Sequence, residues 1–488
     1  MLRVFRSGKS LSLPLITLLF VSIFSGLGGP PASRASGAQS AAHLAPVTQP
    51  RAFVNYRSQG KVGCREATTT EVETMKRRGG QSLHYISAAR PSTNLAVSAE
   101  ATGLQIVLRA TSQLENYPAA KAAFLNAAAH WQSLINTPIT IIVDVDFGPT
   151  WFGEKYDTDV LGQTDSQTLG DAAIYPDVRN TLIGLGLNDD RAATYNQLPQ
   201  ATVPTDIGST SYVFAPSALW RALGFLNAVA DPTGEKSDLG DPPAVGFNSA
   251  FNYDFDPSNS IGANQIDFDS VATHELGHVL GFDSNTGYRE IDRTVPVAVT
   301  VWDLFRFRPG TSLSTFATAQ RILSSGGNQD YFAGGQDLAL STGRPDGTGG
   351  DGEQSSHWKD DFYTGQYIGI MDPTLADGER DEITDNDLAA LKSFGYSIGT
   401  SAVAPDAPTI NAVSYVGRKM VIKGTGFSAQ TALMINGVTV SPANGINVIS
   451  SGKLKIKASS SELNLQSGAN QVQVVNNGAT SNTFMLTL

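Results

Sequence analysis

The chain has 488 residues, of which 41% are hydrophobic, enough for a large core and two or three domains. Its 34 basic and 45 acidic residues give a net charge of −11, which argues against nucleic acids and anionic membrane surfaces as partners. A single cysteine, Cys64, excludes an intrachain disulfide framework and any zinc site built from cysteines.

Residues 1–38 have the pattern of an export signal. Three basic residues, Arg3, Arg6 and Lys9, precede the apolar stretch 11–27, and small residues around Ala38 follow it. The stretch is short and contains serines, which favours a cleaved signal peptide over the alternative, a membrane anchor. No later segment is long and apolar enough to span a membrane, so we expect a secreted or otherwise extracytoplasmic protein.

The next segment, 39–100, shows no strong periodicity, and we interpret it as a candidate propeptide. After it, apolar residues from Ala120 to Leu134 recur at helical spacing, which predicts a helix near 119–135 with one buried face. Pro138 then ends the helix, and residues 139–145 are typical of a strand.

The sequence His-Glu-Leu-Gly-His at 274–278 carries the main chemical signal. Histidines four residues apart leave the same face of a helix, so His274 and His278 can bind one metal ion. Glu275, beside the first histidine, is placed to act as a general base on a metal-activated water. An N-cap candidate within 267–270 and an exit glycine, Gly281, favour a helix around the motif.

A catalytic zinc ion needs a third protein ligand and an open position. One route is a glutamate from a following helix. A second route places a histidine ten residues after His274, but Ser284 stands there. The third route is a more distant histidine, and His357 is the only histidine after His278.

His357 is followed by Trp358 and, 14 residues later, by Met371 in a predicted tight turn. Together with the motif at 274–278, this order resembles the leishmanolysin-like metzincins, a group of zinc metallopeptidases. The resemblance implies a zinc site in which the ligands are His274, His278 and His357, the general base is Glu275, and the Met-turn residue beneath the metal is Met371.

The resemblance covers about 265–283 and 355–396, and residues 383–396 fit the last helix of such a catalytic domain. Leishmanolysin-like enzymes are rich in disulfides, and this chain can form none. The likeness therefore concerns the zinc site and suggests an exported bacterial-type relative. It implies an α+β fold, with a metzincin-like catalytic domain of mixed sheet and active-site helix over 101–400.

Cys64 precedes this catalytic domain and is unpaired. In secreted metzincins a propeptide thiolate can occupy the open position on zinc, so Cys64 is a candidate inhibitory thiol. The alternative is a buried or incidental thiol without a regulatory role.

Residues 404–488 differ in character from the rest. Alternating runs such as 419–423 and 453–457 are separated by turns such as Asn436-Gly437, which predicts a small all-β sandwich. The segments 408–410 and 421–428 resemble the IPT/TIG class of immunoglobulin-like domains. That resemblance implies a spacer or a module that binds another protein or a surface.

The expected function is that of a secreted zinc endopeptidase, which hydrolyses peptide bonds by a zinc-activated water with Glu275 as the general base. A protein or peptide substrate would pair with an edge strand within 244–255, upstream of the motif. The alternative is a surface or matrix binding protein, an adhesin, with a structural or vestigial zinc site. The presence of Glu275 favours the enzyme, because a structural site needs no general base.

Overall fold

The computed structural model describes residues 52–87, 103–399 and 408–488, apart from 59, 79, 172, 173, 292, 345–348, 428–430, 443, 444, 451, 477 and 478. The predicted signal peptide lies outside these residues. Within them, every helix is too short or too polar to cross a membrane.

Helices and strands alternate irregularly up to residue 394. In chain order the elements are β1 (Ala52–Ser58), β2 (Lys61–Glu66), α1 (Thr69–Lys76), β3 (Leu83–Tyr85), β4 (Gln105–Thr111), α2 (Pro118–Leu134), β5 (Thr140–Gly148), β6 (Thr150–Trp151), β7 (Glu154–Lys155), β8 (Val160–Asp165), β9 (Thr168–Asp171), α3 (Tyr175–Gly186), α4 (Ala192–Tyr195), β10 (Val203–Thr205), β11 (Gly208–Thr210), β12 (Val213–Pro216), α5 (Ser217–Ala222), α6 (Lys236–Leu239), β13 (Ala244–Asn248), β14 (Tyr253–Asp254), β15 (Ile266–Asp267), α7 (Phe268–Leu280), α8 (Tyr288–Ile291), β16 (Val299–Thr300), β17 (Arg306–Phe307), β18 (Asp330–Tyr331), β19 (Leu338–Ala339), α9 (Asp361–Thr364), β20 (Thr374–Ala376) and α10 (Asp385–Phe394). Short 3-10 helices lie at Leu114–Asn116 and Trp302–Phe305.

The largest sheet has eight strands in the order β20-β2-β1-β8-β13-β5-β4-β3. It is a mixed sheet, because β4, β5 and β13 run parallel to one another and the remaining neighbours pair antiparallel. The same part of the chain also forms several small sheets of two or three strands. The predicted α+β class is therefore confirmed at this level.

Two helices cover one face of this sheet. The predicted helix near 119–135 is confirmed as α2, in which four alanines, Phe124 and Trp131 are buried, and the predicted strand at 139–145 is confirmed as β5. Phe268 of α7 packs edge-on against Phe247 of β13, with ring centroids 5.0 Å apart, and the Trp131 indole donates a hydrogen bond of 2.9 Å to the Thr273 carbonyl. Together these contacts hold α7 between the sheet and α2.

The expectation that a substrate pairs with an edge strand within 244–255 is wrong for the main strand of that range, β13. This strand is hydrogen-bonded to β5 on one side and to β8 on the other. The remaining part of the range, β14, pairs with β15. Since both sides of β13 are occupied, it has no edge to offer to a peptide.

The segment interpreted as a candidate propeptide contributes three strands to the large sheet. The hairpin β1–β2 lies between β20 and β8, and β3 pairs with β4 at the far edge. Helix α1 begins with a capping box between Thr68 and Glu71. Whether this segment is removed stays a prediction.

Beyond residue 408 the described elements are strands: β21 (Thr409–Val416), β22 (Lys419–Thr425), β23 (Ala432–Ile435), β24 (Val438–Val440), β25 (Asn447–Ser450), β26 (Lys453–Lys457), β27 (Ala469–Asn476), β28 (Ala479–Thr480) and β29 (Phe484–Thr487). They form one sheet of four strands and one of five, which share a hydrophobic core of their own. An all-β C-terminal part is confirmed, and its likeness to IPT/TIG domains stays a prediction.

Candidate metal centre

The motif at 274–278 lies on α7, as predicted. The helix follows the extended residue Asp267 and ends at Gly281, whose φ of 136° lies in a region that favours glycine. Asp267 does not cap the helix with its side chain; it accepts hydrogen bonds from Arg380 at 2.6 Å and Ser270 at 2.8 Å. All thirteen residues of α7 are buried, so its ionisable side chains lie inside the protein.

Three buried histidines meet at one point. Each Nδ1 contacts a backbone carbonyl oxygen: His274 that of Ile370 at 2.7 Å, His278 that of Phe282 at 2.6 Å, and His357 that of Gln354 at 2.8 Å. When the proton of a neutral imidazole is on Nδ1, the lone pair of Nε2 is free to bind a metal ion. This is the usual arrangement for histidines that bind metals. The Nε2 atoms of His274 and His357 are 3.1 Å apart.

Burial also keeps these histidines neutral, which is the form that binds a metal ion. It lowers the pKa of His274 to about 4. Burial, together with the neighbouring histidines, lowers the pKa of His278 and that of His357 well below the ordinary value.

Cys64 joins the histidines. Its Sγ lies 3.8 Å from Nε2 of His278, and the donor atoms of Cys64, His274, His278 and His357 all lie within 4.8 Å of one another. In a tetrahedral zinc site with bonds of about 2.0 to 2.3 Å, donor atoms are roughly 3.3 to 3.6 Å apart. The observed spacing fits an ion with only small movements of the side chains, so these four residues could bind a metal ion.

Glu275 is fully buried beside this cluster. Its Oε1 accepts a hydrogen bond of 2.7 Å from the Asn55 side-chain amide and lies 3.9 Å from Nε2 of His274. Burial raises the pKa of Glu275 to about 7, against the opposing effect of hydrogen bonds from Thr164 and Asn55. A cavity of about 20 Å³ adjoins Glu275, His274 and Cys64, which is room for about one water molecule.

Met371 lies under α7. A Cβ atom added at Gly277, between the two histidines of the helix, would be 2.4 Å from the Met371 Sδ. The carbonyl oxygen of Met371 accepts a hydrogen bond of 2.9 Å from the backbone of Trp358, the residue after His357. The structure thus brings all six predicted site residues together: His274, Glu275, His278, His357, Met371 and Cys64.

Three further residues of the site were not predicted from the sequence. Phe53 and Asn55 of β1 contact His278 and Glu275, and no pattern in the sequence marks either residue. Asp387 of α10 accepts hydrogen bonds from the Trp358 indole at 2.8 Å and the Ile370 backbone at 2.9 Å. Asp387 had a signal, because it lies three residues after Thr384 and forms a capping box with it at the start of α10.

His130 stays outside the cluster. Its imidazole, about half exposed on α2, contacts the buried Asp269 carboxylate of α7 at 2.8 Å.

Comparison with known proteins adds no relative. No protein-family model matches the chain, and no curated protein has detectable sequence similarity to it. The leishmanolysin-like and IPT/TIG resemblances therefore rest on the motifs alone.

Proposed function

We propose that the chain is an extracytoplasmic zinc endopeptidase of the leishmanolysin-like metzincin type, with an IPT/TIG-like C-terminal module. The observation that carries the proposal is the position of Glu275. A carboxylate is buried next to three neutral histidines, on the same helix as two of them. Burying a carboxylate is costly, and a purely structural metal site has no use for one.

In the proposed reaction each residue has a distinct part. His274, His278 and His357 would hold zinc, which when bound supplies a Lewis acid that activates water and polarises a carbonyl group. Glu275 takes the proton of the attacking water and delivers it to the leaving amine nitrogen. Its raised pKa suits a group that must both accept and release a proton near neutral pH.

The competing proposal is a binding protein with a structural metal site. It is favoured by Cys64, since one thiolate and three imidazoles would give zinc four protein ligands and no open position, as in structural zinc sites. In that case the C-terminal domain would bind another protein or a surface.

Glu275→Gln separates the two proposals. We expect peptide hydrolysis to fall at least ~100-fold while the zinc content, measured by inductively coupled plasma mass spectrometry, stays at that of the parent. Glu353→Gln is the matched control, because Glu353 is a partly buried glutamate outside the cluster whose pKa is likewise raised to about 7. The parent is assayed as purified and after limited proteolysis; zinc without hydrolysis in either form supports the binding protein.

The third ligand is tested by His357→Gln. We expect this variant to lose most of its zinc, whereas His130→Gln, which removes a histidine outside the cluster, keeps it. If the zinc content of the His357 variant were unchanged, His357 would not be a ligand. The leishmanolysin-like interpretation would then be wrong as well.

A further inference from the structure

The outer face of the four-stranded sheet in the C-terminal part concentrates positive charge. Its strands β21, β22, β25 and β26 contain five lysines and no acidic residue. Residues 408–488 together have six basic residues and one acidic residue, Glu462, whereas the whole chain has a net charge of −11. The five lysines define a surface that we call the lysine face: Lys419, Lys423, Lys453, Lys455 and Lys457.

The five lysines lie on the same side of the sheet. Strand β22 pairs antiparallel with β26, so that Lys419 stands opposite Lys457 and Lys423 stands opposite Lys453. Side chains alternate between the two faces of a strand. The alternate positions of both strands are buried in the core of the C-terminal part: Met420, Ile422, Leu454 and Ile456. The lysines therefore occupy the outer face, where Lys419, Lys423 and Lys457 are exposed.

This arrangement costs stability and serves no purpose within the sheet. Like charges directly opposite each other destabilise an antiparallel pair. Lysine on an edge strand can protect a sheet against aggregation, but β22 and β26 are the two inner strands of this sheet. Solubility does not require the charges either, because the strands of the neighbouring five-stranded sheet contain no charged residue. The lysine face therefore has the character of a binding surface for an anion.

The spacing of the charges fits an extended polymer. Facing residues of an antiparallel pair have Cα atoms about 4.5 to 5.5 Å apart, and alternate residues along one strand are about 7 Å apart. The three lysines of β26 thus form one row, and the two lysines of β22 form a second row beside it. A small anion reaches only one or two lysines, whereas a linear polymer with regularly placed negative groups contacts several at once. Since each contact displaces bound counterions, the affinity for such a polymer depends on salt.

Other polyanions fit this face less well. Single-stranded nucleic acids bind by stacking their bases on aromatic side chains. The one aromatic residue of these four strands, Tyr415, packs against the core and donates its hydroxyl to the Ala458 carbonyl at 3.1 Å. An anionic bilayer is broad, so it would repel the excess of acidic residues in the remainder of the chain. A polysaccharide chain needs neither base stacking nor a broad contact.

We propose that the lysine face binds an anionic polysaccharide, that is, a linear sugar polymer that carries carboxylate or sulfate groups. The proposal does not depend on the proposed peptidase function, because it concerns only residues 408–488. It gives this part of the chain a ligand of defined chemistry, and binding would hold the protein at a surface or matrix that contains the polymer.

The test uses the full chain and three defined polymers. Alginate supplies carboxylates, dextran sulfate supplies sulfates, and unmodified dextran is the neutral control for the sulfated polymer. Isothermal titration calorimetry measures the affinity at several salt concentrations. We expect at least one charged polymer to bind, with an affinity that falls as the salt concentration rises, and dextran not to bind. If neither charged polymer binds at the lowest salt concentration, the proposal is wrong.

Substitutions in the lysine face separate its role from that of net charge. The variant K423Q/K453Q/K455Q should bind at least ~10-fold more weakly than the parent, and K423R/K453R/K455R, which keeps the charges, should bind like the parent. The matched control has the same net charge as the glutamine variant, because it removes three exposed lysines of other elements: K76Q/K155Q/K236Q. This control should keep the affinity of the parent. Equal affinities of the glutamine variant and the control would overturn the proposal.

Calorimetry of the parent shows which part of the chain binds the polymer, without any substitution. A ligand stabilises the part to which it binds, so the charged polymer should raise the melting temperature of the transition of residues 408–488. The transition that involves residues 103–399 should not change. A shift of that second transition alone would place the binding elsewhere and overturn the proposal.

The other two classes of polyanion are titrated at the same salt concentrations. The probes are a single-stranded DNA oligonucleotide and vesicles of phosphatidylglycerol. Weaker binding of both than of the better polysaccharide supports the proposal. Tighter binding of either would overturn it in favour of a nucleic acid or a membrane.

Discussion

The carboxylate of Asp387 connects the last helix to the loop that carries His357 and Met371. It is fully buried and accepts hydrogen bonds from the Trp358 indole and from the backbone amides of Ile370 and Thr384. Trp358 directly follows His357, and Ile370 directly precedes Met371. Asp387 therefore positions two parts of the site without touching the metal cluster.

Replacing Asp387 by alanine should destabilise the protein and weaken metal binding. The buried donors of Trp358 and Ile370 and the partly buried amide of Thr384 would lose their acceptor, which costs ~2 to 4 kcal/mol in the free energy of unfolding. Urea denaturation and a zinc titration measure the two effects. The control is Asp385→Ala, which changes an exposed residue on the same helical turn and should alter neither the stability nor the zinc affinity measurably. An equally small effect of Asp387→Ala would contradict the positioning role.

His130 gives a pH dependence of stability that is independent of the metal cluster. Its hydrogen bond with Asp269 raises the pKa of His130 above the value of about 6.5 expected in the unfolded chain. The folded state thus binds the proton more tightly, and the ion pair stabilises fully below that unfolded value. The stabilisation disappears as the pH rises through the raised pKa.

The loss of stability in His130→Gln should therefore be larger at pH 5.5 than at pH 8.5. We expect a difference under ~1 kcal/mol, because the imidazole is about half exposed and water screens the pair. Urea denaturation of parent and variant at the two pH values measures it. An equal loss at both would show that the pair contributes nothing through its charge.

At the scale of elements, the contact between α7 and the methionine turn sets the position of two ligands. Gly277→Ala would place a methyl group against the Met371 Sδ in a fully buried position. We expect a loss of ~1 to 3 kcal/mol in unfolding free energy from this overpacking, with a lower zinc affinity. Urea denaturation measures the unfolding free energy, and a zinc titration measures the affinity.

Gly184→Ala is the matched control on α3. A methyl group there would contact nothing within 4 Å, so the change should stabilise the helix by ~0.5 to 1 kcal/mol. If Gly277→Ala stabilised the protein to the same extent, the Met371 side chain would have moved without a cost in free energy. The contact between Gly277 and Met371 would then not determine the stability of the site.

At the scale of the whole molecule, metal removal should destabilise one part of the chain selectively. A ligand that binds only the folded state adds about 2.7 kcal/mol at a concentration one hundred times its dissociation constant. The cluster joins β2, α7 and the segment around His357, whereas the strands beyond residue 408 have a separate core.

A chelator should thus lower the melting temperature of the transition that involves residues 103–399 by several degrees. The transition of residues 408–488 should not change, which provides an internal control. Differential scanning calorimetry with and without the chelator, followed by zinc addition, checks both. A uniform shift of both transitions, or none, would contradict metal binding at this cluster as a stabilising interaction.

Several local features followed from the sequence alone. Helical spacing predicted α2 and the placement of His274, Glu275 and His278 on α7, and glycine at 281 predicted where α7 ends. Alternating residues predicted β22 and β26 and the all-β character of the C-terminal part. Each of these depends on neighbours within one or two turns or along one strand, where periodicity decides which side is buried.

The tertiary structure decided which distant residues meet. His357 reaches His274 across 83 residues, Cys64 reaches His278 across 214, and Asn55 reaches Glu275 across 220. The resemblance suggested the first two, but nothing in the sequence indicated Asn55, and β13, the main strand of the range 244–255, is paired on both sides. Strand order arises from the packing of the whole sheet, and a hydrophobic strand has the same pattern whether its neighbour is a substrate or another part of the core.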